Sequence, residues 1–282
     1  MQASTNCGVL YLVATPIGNL EDMTLRSIRI LQEVDLIAAE DTRHTGKLLH
    51  HFQITTPQIS YHLHNQGDRT SELIDKLQQG TNIALVSDAG MPCISDPGSL
   101  LGQAAIANEI TIIPIPGVSA GITALAASGL DTERFVFEGF LPIKDKLKSA
   151  RLEELARETR TIIFYEAPHR LLITLMSLEQ TLGSIRTIVL ARELTKIHEE
   201  FWRGTIAEAI KLYQSDRQPK GEYTIVVAGS DLAKEIDLSE SQVRSELQQL
   251  LAQGMTRSQA SKQLAKLSKL SRREIYQLTL DD

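Results

Sequence analysis

The sequence predicts an α/β protein of two consecutive α/β units followed by a small helical module. Three observations lead to this prediction. The first half of the 282-residue chain alternates short apolar runs with longer helical patterns, which is typical of a parallel sheet covered by helices. The second half repeats the alternation with more closely spaced strands, and the C-terminal end carries helix-start signals instead. We therefore divide the chain into residues 1–117, 118–232 and 239–282.

The first unit is predicted to contain four strands, at residues 9–14, 36–39, 83–87 and 111–115. Leu25, Ile28, Leu31 and Val34 recur at helical spacing between the first two strands. The segment 110–130 has no charged residue, but prolines and glycines interrupt it. We expect a strand, a loop and a buried helix there, and no membrane span.

The second unit begins after a tight turn at residues 116–118. Its predicted strands lie at 135–137, 161–165, 187–191 and 223–228, with helices at 151–158 and 171–182. In the C-terminal module, three capping boxes each open one short helix: Ser239 with Gln242, Thr256 with Gln259, and Ser271 with Glu274. Gly254 fits the end of the first of these helices, where a residue with positive φ is favoured.

The composition indicates the cellular compartment and argues against a metal site. The hydrophobic fraction is 42% and the charged fraction 23%, as in ordinary globular proteins. The chain has two cysteines and no visible export signal, so we expect a cytoplasmic protein without a disulfide framework. His62 and His64 would share one face of a strand over residues 58–65, with His50 and His51 nearby. Because no cysteine or clear third ligand accompanies them, no metal site is predicted.

Positive charge is concentrated at the C-terminal end. The net charge is -6, yet residues 241–282 hold seven Lys or Arg against four Asp or Glu, a net of +3, which leaves -9 on the preceding part. Residues 255–273 contain six cations and no acid: Arg257, Lys262, Lys266, Lys269, Arg272 and Arg273. Ala260, Leu264 and Leu267 form an apolar stripe on the helix that carries the three lysines. This asymmetry predicts an acidic body with an RNA-binding basic module, although a solvated basic face would show the same pattern.

Four loops that follow strands are expected to converge, because ligands bind beyond the carboxyl ends of parallel strands. They read TPIGN (15–19), EDTR (40–43), SDAGMPCISDPG (87–98) and PGVSA (116–120). Between Lys76 and Arg134 there is no Lys, Arg or His, and the chain contains neither a GxxxxGK[ST] nor a GxGxxG motif. A nucleoside triphosphate is therefore disfavoured. A cation-free loop with Asp88 suits a positively charged donor, such as the sulfonium of S-adenosylmethionine.

Eight blocks of sequence, spread over residues 11–223, resemble a known family. They read TPIGNLEDMTLRS, AAEDTRHTGKLL, SDAGMPCISDPG, PGVSAGITALAASGL, FEGFLP, YEAPHRL, RELTKIHEEFWRGT and KGEY. In this order they are similar to the ribosomal RNA small subunit methyltransferase I family, a branch of the tetrapyrrole-methylase fold. That family methylates the ribose 2'-hydroxyl of a cytidine in small-subunit (16S) rRNA, and its fold implies a homodimer.

The resemblance implies an S-adenosylmethionine site in a cleft between the two α/β domains. The implied donor residues are Thr15, Pro16, Ile17, Asp88, Ala89, Gly90, Ile94, Ser119, Ala120, Tyr165 and Ala167. Tyr165 reads equally well as an interdomain packing residue.

Methyl transfer also needs a group that removes or accepts the hydroxyl proton, and the sequence does not single it out. RELTK and KGE combine acids and bases, which makes Glu193, Lys196, Lys220 and Glu222 candidates. A lysine with a depressed pKa would act as a base, whereas an ordinary lysine would bind phosphate or orient the sugar. Arg43, Arg170 and Arg192 are candidates for RNA phosphates.

Two other functions remain open at this point. A tetrapyrrole precursor as acceptor would keep the fold and the donor but leave the basic module without a task. A non-catalytic RNA-binding protein would keep the module but leave the donor loops without one.

Overall fold

The computed structural model describes residues 7–279, except residues 216, 231–239, 266, 267 and 269. The first unit is built on a five-stranded sheet in the order β3-β2-β4-β1-β5, in which every neighbouring pair is parallel. Its strands are β1 (Leu10–Val13), β2 (Leu36–Ala39), β3 (Gln58–Ser60), β4 (Ile83–Val86) and β5 (Ile112–Ile115). The parallel sheet predicted from the alternation of strands and helices is confirmed.

Helices cover both faces of this sheet. They are α1 (Leu25–Glu33), α2 (Thr42–His51), α3 (Gln66–Gln78) and α4 (Ser99–Ala107). Residues of α1 and α2 pack on one face and residues of α3 and α4 on the other, forming two apolar clusters. Thr24 and Asp41 accept hydrogen bonds from backbone N–H groups in the first turns of α1 and α2, so side chains fix where both helices begin.

The second unit has a mixed five-stranded sheet in the order β6-β7-β10-β8-β9. Its strands are β6 (Phe135–Phe140), β7 (Thr161–Glu166), β8 (Thr187–Arg192), β9 (Glu200–Thr205) and β10 (Tyr223–Val227). Only β6 and β7 pair in parallel, and the other neighbours are antiparallel. Its helices are α5 (Ala120–Ser128), α6 (Asp145–Leu155), α7 (Leu171–Leu182) and α8 (Ile206–Gln214).

Helix α5 joins the two units. Ala124 and Leu125 of α5 are buried against Ile163 and Val226 of the second sheet, and Ile17 from the loop after β1 packs against the same cluster. The opposite face of the second sheet is covered by α6, α7 and α8. The loop after β1 therefore lies against the second unit, which brings the ends of the first sheet's strands to the junction.

Several predicted elements differ from the observed ones. The helix predicted at 151–158 is wrong in its bounds: α6 runs over Asp145–Leu155, and Lys148 in its first turns is buried and pairs with Asp145 at 3.1 Å. Strand β9 was absent from the prediction because charged Glu200 and Arg203 interrupt its apolar pattern. Leu25 is 86% exposed, so the buried face of α1 is formed by Ser27, Ile30 and Leu31 instead of the stripe that starts at Leu25.

The strand proposed for His62 and His64 is also wrong, because β3 ends at Ser60. The Asn65 side chain accepts a hydrogen bond from the His62 N–H at 2.8 Å and donates to the Ser60 carbonyl at 3.2 Å. These bonds close a turn where the strand was expected. Within the described part of the chain, no three His, Cys, Asp or Glu side chains come together as metal ligands would.

The C-terminal module consists of α9 (Glu240–Ala252), α10 (Arg257–Leu264) and α11 (Arg272–Leu278). Val243, Leu247, Ala260, Leu264 and Ile275 form its own buried cluster. Thr256 with Gln259 and Ser271 with Glu274 exchange the reciprocal bonds of capping boxes, and Gly254 follows α9 with φ of 85°.

Four predicted positions of the module fall outside the described residues, namely the cap at Ser239, the stripe position Leu267, and the cations Lys266 and Lys269. None of the described helices has both the length and the apolar character that crossing a bilayer requires.

Candidate active site

The four predicted loops lie at one edge of the first sheet, because β1, β2, β4 and β5 are parallel and end there. The first and third loops are tied together. Thr15 and Gly90 exchange both backbone hydrogen bonds, at 2.9 and 3.0 Å, and the buried Thr15 hydroxyl donates to the Ser87 carbonyl at 3.1 Å. Main-chain hydrogen bonds therefore fix the first and third loops relative to each other at the crevice.

The loop after β4 folds back on itself through backbone conformations with positive φ. Gly90, Cys93, Ser95 and Gly98 have φ of 77°, 73°, 63° and 135°. A Cβ at Gly98 would lie 2.6 Å from the Cys93 sulfur, so this close approach requires glycine. Non-glycine residues in this region of φ are strained, and such strain is found at functional sites more than elsewhere.

A cavity of about 310 Å³ lies between the two units, and we call it the interdomain cleft. It is lined by loop residues of the first sheet and by the ends of β7, β8 and β10. Eight of the eleven residues that the sequence resemblance assigned to donor binding line this cleft: Ile17, Ala89, Gly90, Ile94, Ser119, Ala120, Tyr165 and Ala167.

The other three lie in an adjoining cavity of about 480 Å³, the side cavity: Thr15, Pro16 and Asp88. Ile17, Ala89 and Glu222 line both cavities, so the two spaces meet at these residues. His44 and Lys47 of α2 also line the side cavity. The cleft and the side cavity thus form a two-part site, with one Lys and one His side chain on the α2 side.

The described residues that line the interdomain cleft include carboxylates but no basic side chain. Among the described residues that line it are Asp96, Glu166 and Glu222, and there is no Lys, Arg or His. Burial, followed by the negative charge of Glu40, raises the pKa of Asp96 to about 7. Burial also raises the pKa of Glu40, although its carboxylate accepts a hydrogen bond from the Asp88 N–H at 3.2 Å. The cleft is consequently short of positive charge.

Glu166, at the end of β7, is buried and fully engaged within the protein. Its carboxylate accepts hydrogen bonds from the Thr174 hydroxyl at 2.5 Å and the Ala167 N–H at 2.9 Å, and pairs with Arg170 at 3.3 Å. Arg170 also donates to the Leu141 carbonyl at 2.8 Å. Glu166 and Arg170 therefore shape the loop that holds Ala167.

Tyr165 links the two units at the edge of the cleft. Its hydroxyl accepts a hydrogen bond from the Gly121 N–H at 3.1 Å, and its ring makes edge contacts with Phe137 and Phe140. Burial raises the pKa of Tyr165, so the phenol stays protonated. Tyr165 both lines the cleft and packs between the units, so its interpretations as a donor-binding residue and as a packing residue both stay open.

Three of the four candidate catalytic residues form one group, which we call the lysine cluster: Glu193, Lys196 and Glu222. The Lys196 ammonium contacts Glu193 at 2.9 Å and Glu222 at 2.8 Å. Gly221 has φ of 80°, and a Cβ there would lie 2.4 Å from the Glu193 carboxyl carbon. The fourth candidate, Lys220, has an exposed side chain, and its carbonyl accepts a hydrogen bond from Arg192 at 2.7 Å.

The lysine cluster is held together by ion pairs between its own members. Desolvation opposes the charge of Lys196, but its bonds to Glu222 and Glu193 outweigh it and raise the pKa of Lys196. Desolvation likewise opposes the charge of Glu193, yet the bond from Lys196 and the backbone bond from Glu222 lower its pKa. Lys196 is therefore a permanent cation, which removes the sequence alternative of a basic lysine with a depressed pKa.

The arginines predicted to bind RNA differ in their surroundings. Arg43 is 89% exposed and pairs with Asp41 at 2.7 Å. Arg192 contacts Glu200 at 3.6 Å as well as the Lys220 carbonyl. In the C-terminal module, Arg257, Lys262, Arg272 and Arg273 are exposed. Lys262 is the only one of the three predicted lysines in a described helix, because Lys266 and Lys269 lie outside the described residues.

Sequence reasoning missed Asp96 and Glu40. Asp96 lies in the loop SDAGMPCISDPG, of which only the first acid, Asp88, was selected. The positive-φ residues around it turn its side chain into the cleft. A second acid in a stretch without cations was the available signal. Glu40 was visible in EDTR, but its contact with Asp88 depends on the neighbouring positions of β2 and β4 in the sheet.

Comparisons with known proteins agree with this fold. Residues 9–210 match the family model "Tetrapyrrole (Corrin/Porphyrin) Methylases". Ribosomal RNA small subunit methyltransferase I of Synechocystis sp. is 61% identical over 274 residues, 97% of this chain and 98% of that protein. The proteins of the same name from Halalkalibacterium halodurans and Pasteurella multocida are 49% and 44% identical, over 96% and 97% of this chain and 94% and 97% of their own lengths.

Solved structures share the fold at low sequence identity. The methyltransferase CobJ aligns with a TM-score of 0.59 at 18% identity, covering 79% of this chain and 95% of that one. Uroporphyrin-III C-methyltransferase from Thermus thermophilus, complexed with S-adenosylhomocysteine, aligns with a TM-score of 0.55 at 18% identity. That alignment covers 78% of this chain and 97% of that one.

Proposed function

Because this chain belongs to the tetrapyrrole (corrin/porphyrin) methylases and, within them, to the ribosomal RNA small subunit methyltransferase I family, we propose that it methylates the ribose 2'-hydroxyl of a cytidine in small-subunit (16S) rRNA with S-adenosylmethionine as donor. The observation that carries the proposal is the 61% identity over nearly the full length of a protein with that name. The two-part site supports it, because transfer between two substrates needs two adjoining spaces.

The interdomain cleft fits the donor in size, backbone access and charge. Its volume of about 310 Å³ lies in the range of small-molecule sites. Ala89, Gly90, Ala120 and Ala167 line it with small side chains, so backbone groups are accessible to a nucleoside. Asp96, which has no cationic partner among the described lining residues, complements a sulfonium. We assign the donor to this cleft and to the eleven residues expected from the resemblance.

Bound in the cleft, S-adenosylmethionine would supply the methyl group from its positively charged sulfur to the ribose oxygen and would leave as neutral S-adenosylhomocysteine. Glu222 lines both cavities and is our proposed acceptor of the hydroxyl proton. Lys196 fixes the position of the Glu222 carboxylate at 2.8 Å, and Glu193 in turn holds Lys196. Lys220, exposed beside them, is assigned to the RNA backbone.

The C-terminal module is the proposed low-specificity RNA contact. Its exposed cations, together with Lys266 and Lys269 of the sequence, would release counterions from phosphates, so its contribution should weaken with salt. The family-model match ends at residue 210, whereas the match to the rRNA methyltransferase from Synechocystis covers 97% of the chain. The module is therefore part of what this chain shares with proteins named for rRNA, which disfavours a tetrapyrrole acceptor.

Family membership also leads us to propose a cytoplasmic homodimer. Phe135, Phe137 and Phe140 on the edge strand β6 are exposed, as are Ile143 and Leu147 beyond it. Exposed apolar patches of this kind on a sheet edge are typical of interfaces. Sedimentation equilibrium at micromolar concentration should give twice the chain mass of 31.2 kDa, and a single-chain mass would contradict this part of the proposal.

The test of the proposed function is methyl transfer from radiolabelled S-adenosylmethionine to purified small ribosomal subunits and to naked 16S rRNA. We expect label at one cytidine, with the adjacent phosphodiester bond resistant to alkali because its 2'-hydroxyl is methylated. Label that leaves the linkage alkali-sensitive would indicate base methylation. Donor binding without label on either RNA would favour a small-molecule acceptor, and RNA binding without donor binding would favour a non-catalytic protein.

A further inference from the structure

We propose that helix α2 presents a second RNA-binding surface on the body of the enzyme, which guides the strand carrying the target ribose into the side cavity. We call this surface the α2 stripe and define it as Arg43, His44, Lys47, His50 and His51. The inference rests on the proposed function, since it takes an RNA strand as the substrate. It adds a site separate from the basic C-terminal module.

The first support is the composition and orientation of α2. Its ten residues, TRHTGKLLHH, include one Arg, one Lys and three of the seven histidines of the chain, and no acid. Thr45, Leu48 and Leu49 are buried against the first sheet's core, while all five residues of the stripe are exposed. One helix face thus packs, and the opposite face carries the basic side chains toward solvent.

The second support is the position of the two ends of the stripe, because each end lines a cavity. His44 and Lys47 line the side cavity, which contains Glu222. At the other end, His51 lines a third cavity of about 820 Å³ together with Lys196 and His198. With a rise of about 1.5 Å per residue, Arg43 and His51 are about 12 Å apart, the reach of a few nucleotides. The stripe therefore runs between two openings of the same crevice, and its formal positive charges at pH 7 are those of Arg43 and Lys47.

The third support is the contrast with the surrounding charge. Residues 1–240 carry a net charge of -9, and the interdomain cleft has no cation among its described lining residues. A basic path on such a body selects for phosphates. Arg43 makes a solvent-exposed bidentate pair with Asp41, at 3.1 and 2.7 Å, so a phosphate would have to replace that carboxylate as its partner.

The third cavity also offers apolar surface for an unpaired base. Phe52 and Leu20 line it, and Ile197 at its rim is 97% exposed. Single-stranded RNA is recognised through phosphate contacts together with stacking or apolar contacts to splayed bases. A nucleotide adjacent to the target would find both kinds of contact here, so the stripe would set the register of the strand while the module supplies affinity.

The experiment compares two triple variants of the full-length protein. Arg43→Gln/His44→Gln/Lys47→Gln removes the half of the stripe nearest the side cavity. Lys146→Gln/Arg157→Gln/Lys211→Gln removes three exposed basic residues from α6, the loop after it and α8. Both variants are assayed for the affinity of S-adenosylmethionine, for binding of a fluorescent 16S rRNA fragment, and for methyl transfer to small subunits at several salt concentrations.

We expect the stripe variant to raise the KM for small subunits at least 10-fold, with the donor Kd within 2-fold of the wild type. The slope of log KM against log salt should become shallower by about 1 to 2, because two or three phosphate contacts are lost. The control variant should stay within 2-fold in all three measurements. Unchanged donor affinity in the stripe variant shows that the fold and the cleft are intact.

Equal KM and equal salt slope in the two variants would overturn the α2 stripe as an RNA contact. Failure of the proposed function has a different signature. In that case the wild-type protein transfers no methyl group to rRNA, and the fragment-binding comparison still decides whether the stripe contacts RNA.

Discussion

The interdomain cleft and the lysine cluster share Glu222 but differ in whether their carboxylates have cationic partners. In the cleft, Asp96 has no cationic partner among the described lining residues, and burial raises its pKa to about 7. In the cluster, Lys196 contacts both Glu193 and Glu222, so the pKa of Glu193 is lowered and that of Lys196 raised. The described lining of the interdomain cleft contains no basic side chain, whereas the lysine cluster contains Lys196.

This difference indicates what each side is built for. A buried carboxylate without a partner costs free energy, and a cationic ligand relieves that cost when it binds. A carboxylate that is already ion-paired gains less from a charged ligand, and the pair holds it in a fixed position. The side with the unpaired carboxylate therefore suits the charged donor, and the ion-paired side suits orientation of a neutral hydroxyl.

The most disruptive test gives the cleft a cation. Ser119→Lys places an ammonium in the lining of the cleft, at the N-cap of α5. Two like charges about 4 Å apart repel by about 4 kcal/mol at an effective dielectric constant of about 20. We expect S-adenosylmethionine affinity to fall at least 100-fold, measured by calorimetry.

Ser119→Gln is the matched control, because it adds a side chain of similar reach without charge. S-adenosylhomocysteine, whose sulfur is neutral, should lose much less affinity than the methyl donor in the lysine variant. Equal losses for both ligands and for both variants would mean that steric exclusion, and not charge, governs the cleft.

The second test removes the cation from the ion-paired side, the lysine cluster. Lys196→Met leaves Glu193 and Glu222 as neighbouring carboxylates without their shared partner. We expect the single-turnover rate of methyl transfer to fall about 30-fold, since positioned acid–base groups contribute about 10²-fold or more. The donor Kd should not rise, because Lys196 does not line the interdomain cleft and the Glu222 carboxylate that loses its partner adds negative charge to the lining.

Lys196→Arg keeps the charge and should recover part of the rate. A merely structural role for Lys196 would lower the unfolding temperature of the methionine variant and leave its transfer rate intact.

The strands and loops of the first unit were predictable because buried parallel strands read as apolar runs bounded by turn residues, as in IALV of β4. That pattern located the loops, whereas the eight predicted residues that line the cleft were assigned from the resemblance to a known family. It failed where charge interrupts a strand, as at Arg203 in β9, and where a side chain makes the turn, as Asn65 does after β3.

The lysine cluster shows the second limit. The two segments RELTK and KGE were both noticed, but their contact depends on β8 and β10 lying side by side in the second sheet. The direction of the Lys196 pKa shift then follows from two carboxylates within 3 Å, which spacing along the chain cannot give. Local chemistry was visible in the sequence, whereas charge balance required the three-dimensional arrangement.

The third test uses the raised pKa of Asp96. Above a pH of about 7 the carboxylate is ionised and attracts the cationic donor, and below it the neutral form does not. We expect S-adenosylmethionine affinity to rise by up to about 10-fold between pH 6 and pH 8, since a shift of one pKa unit corresponds to a factor of ten. In Asp96→Asn the profile should stay flat at the lower affinity.

The raised pKa of Asp96 should also change how the free energy of unfolding of the donor-free protein depends on pH. The pKa of Asp96 is raised from the ordinary 3.8, so the native state holds the proton longer and the free energy of unfolding falls as pH rises from about 4 to 7. Asp96→Asn should remove that fall. A pH-dependent donor affinity that survives the substitution would assign it to another group, with Glu40 as the next candidate.

The smallest effect is expected at Tyr165, where the cleft and the packing between the units coincide. Tyr165→Phe removes the acceptor of the Gly121 N–H bond but keeps the ring against Phe137 and Phe140. Loss of one such bond costs about 1 kcal/mol in the free energy of unfolding, measured by denaturant titration. Donor affinity should fall no more than 3-fold if Tyr165 mainly packs. A loss above 10-fold at unchanged stability would instead mean that the hydroxyl contacts the donor, and the uncharged lining of the cleft would then contribute to recognition alongside its carboxylates.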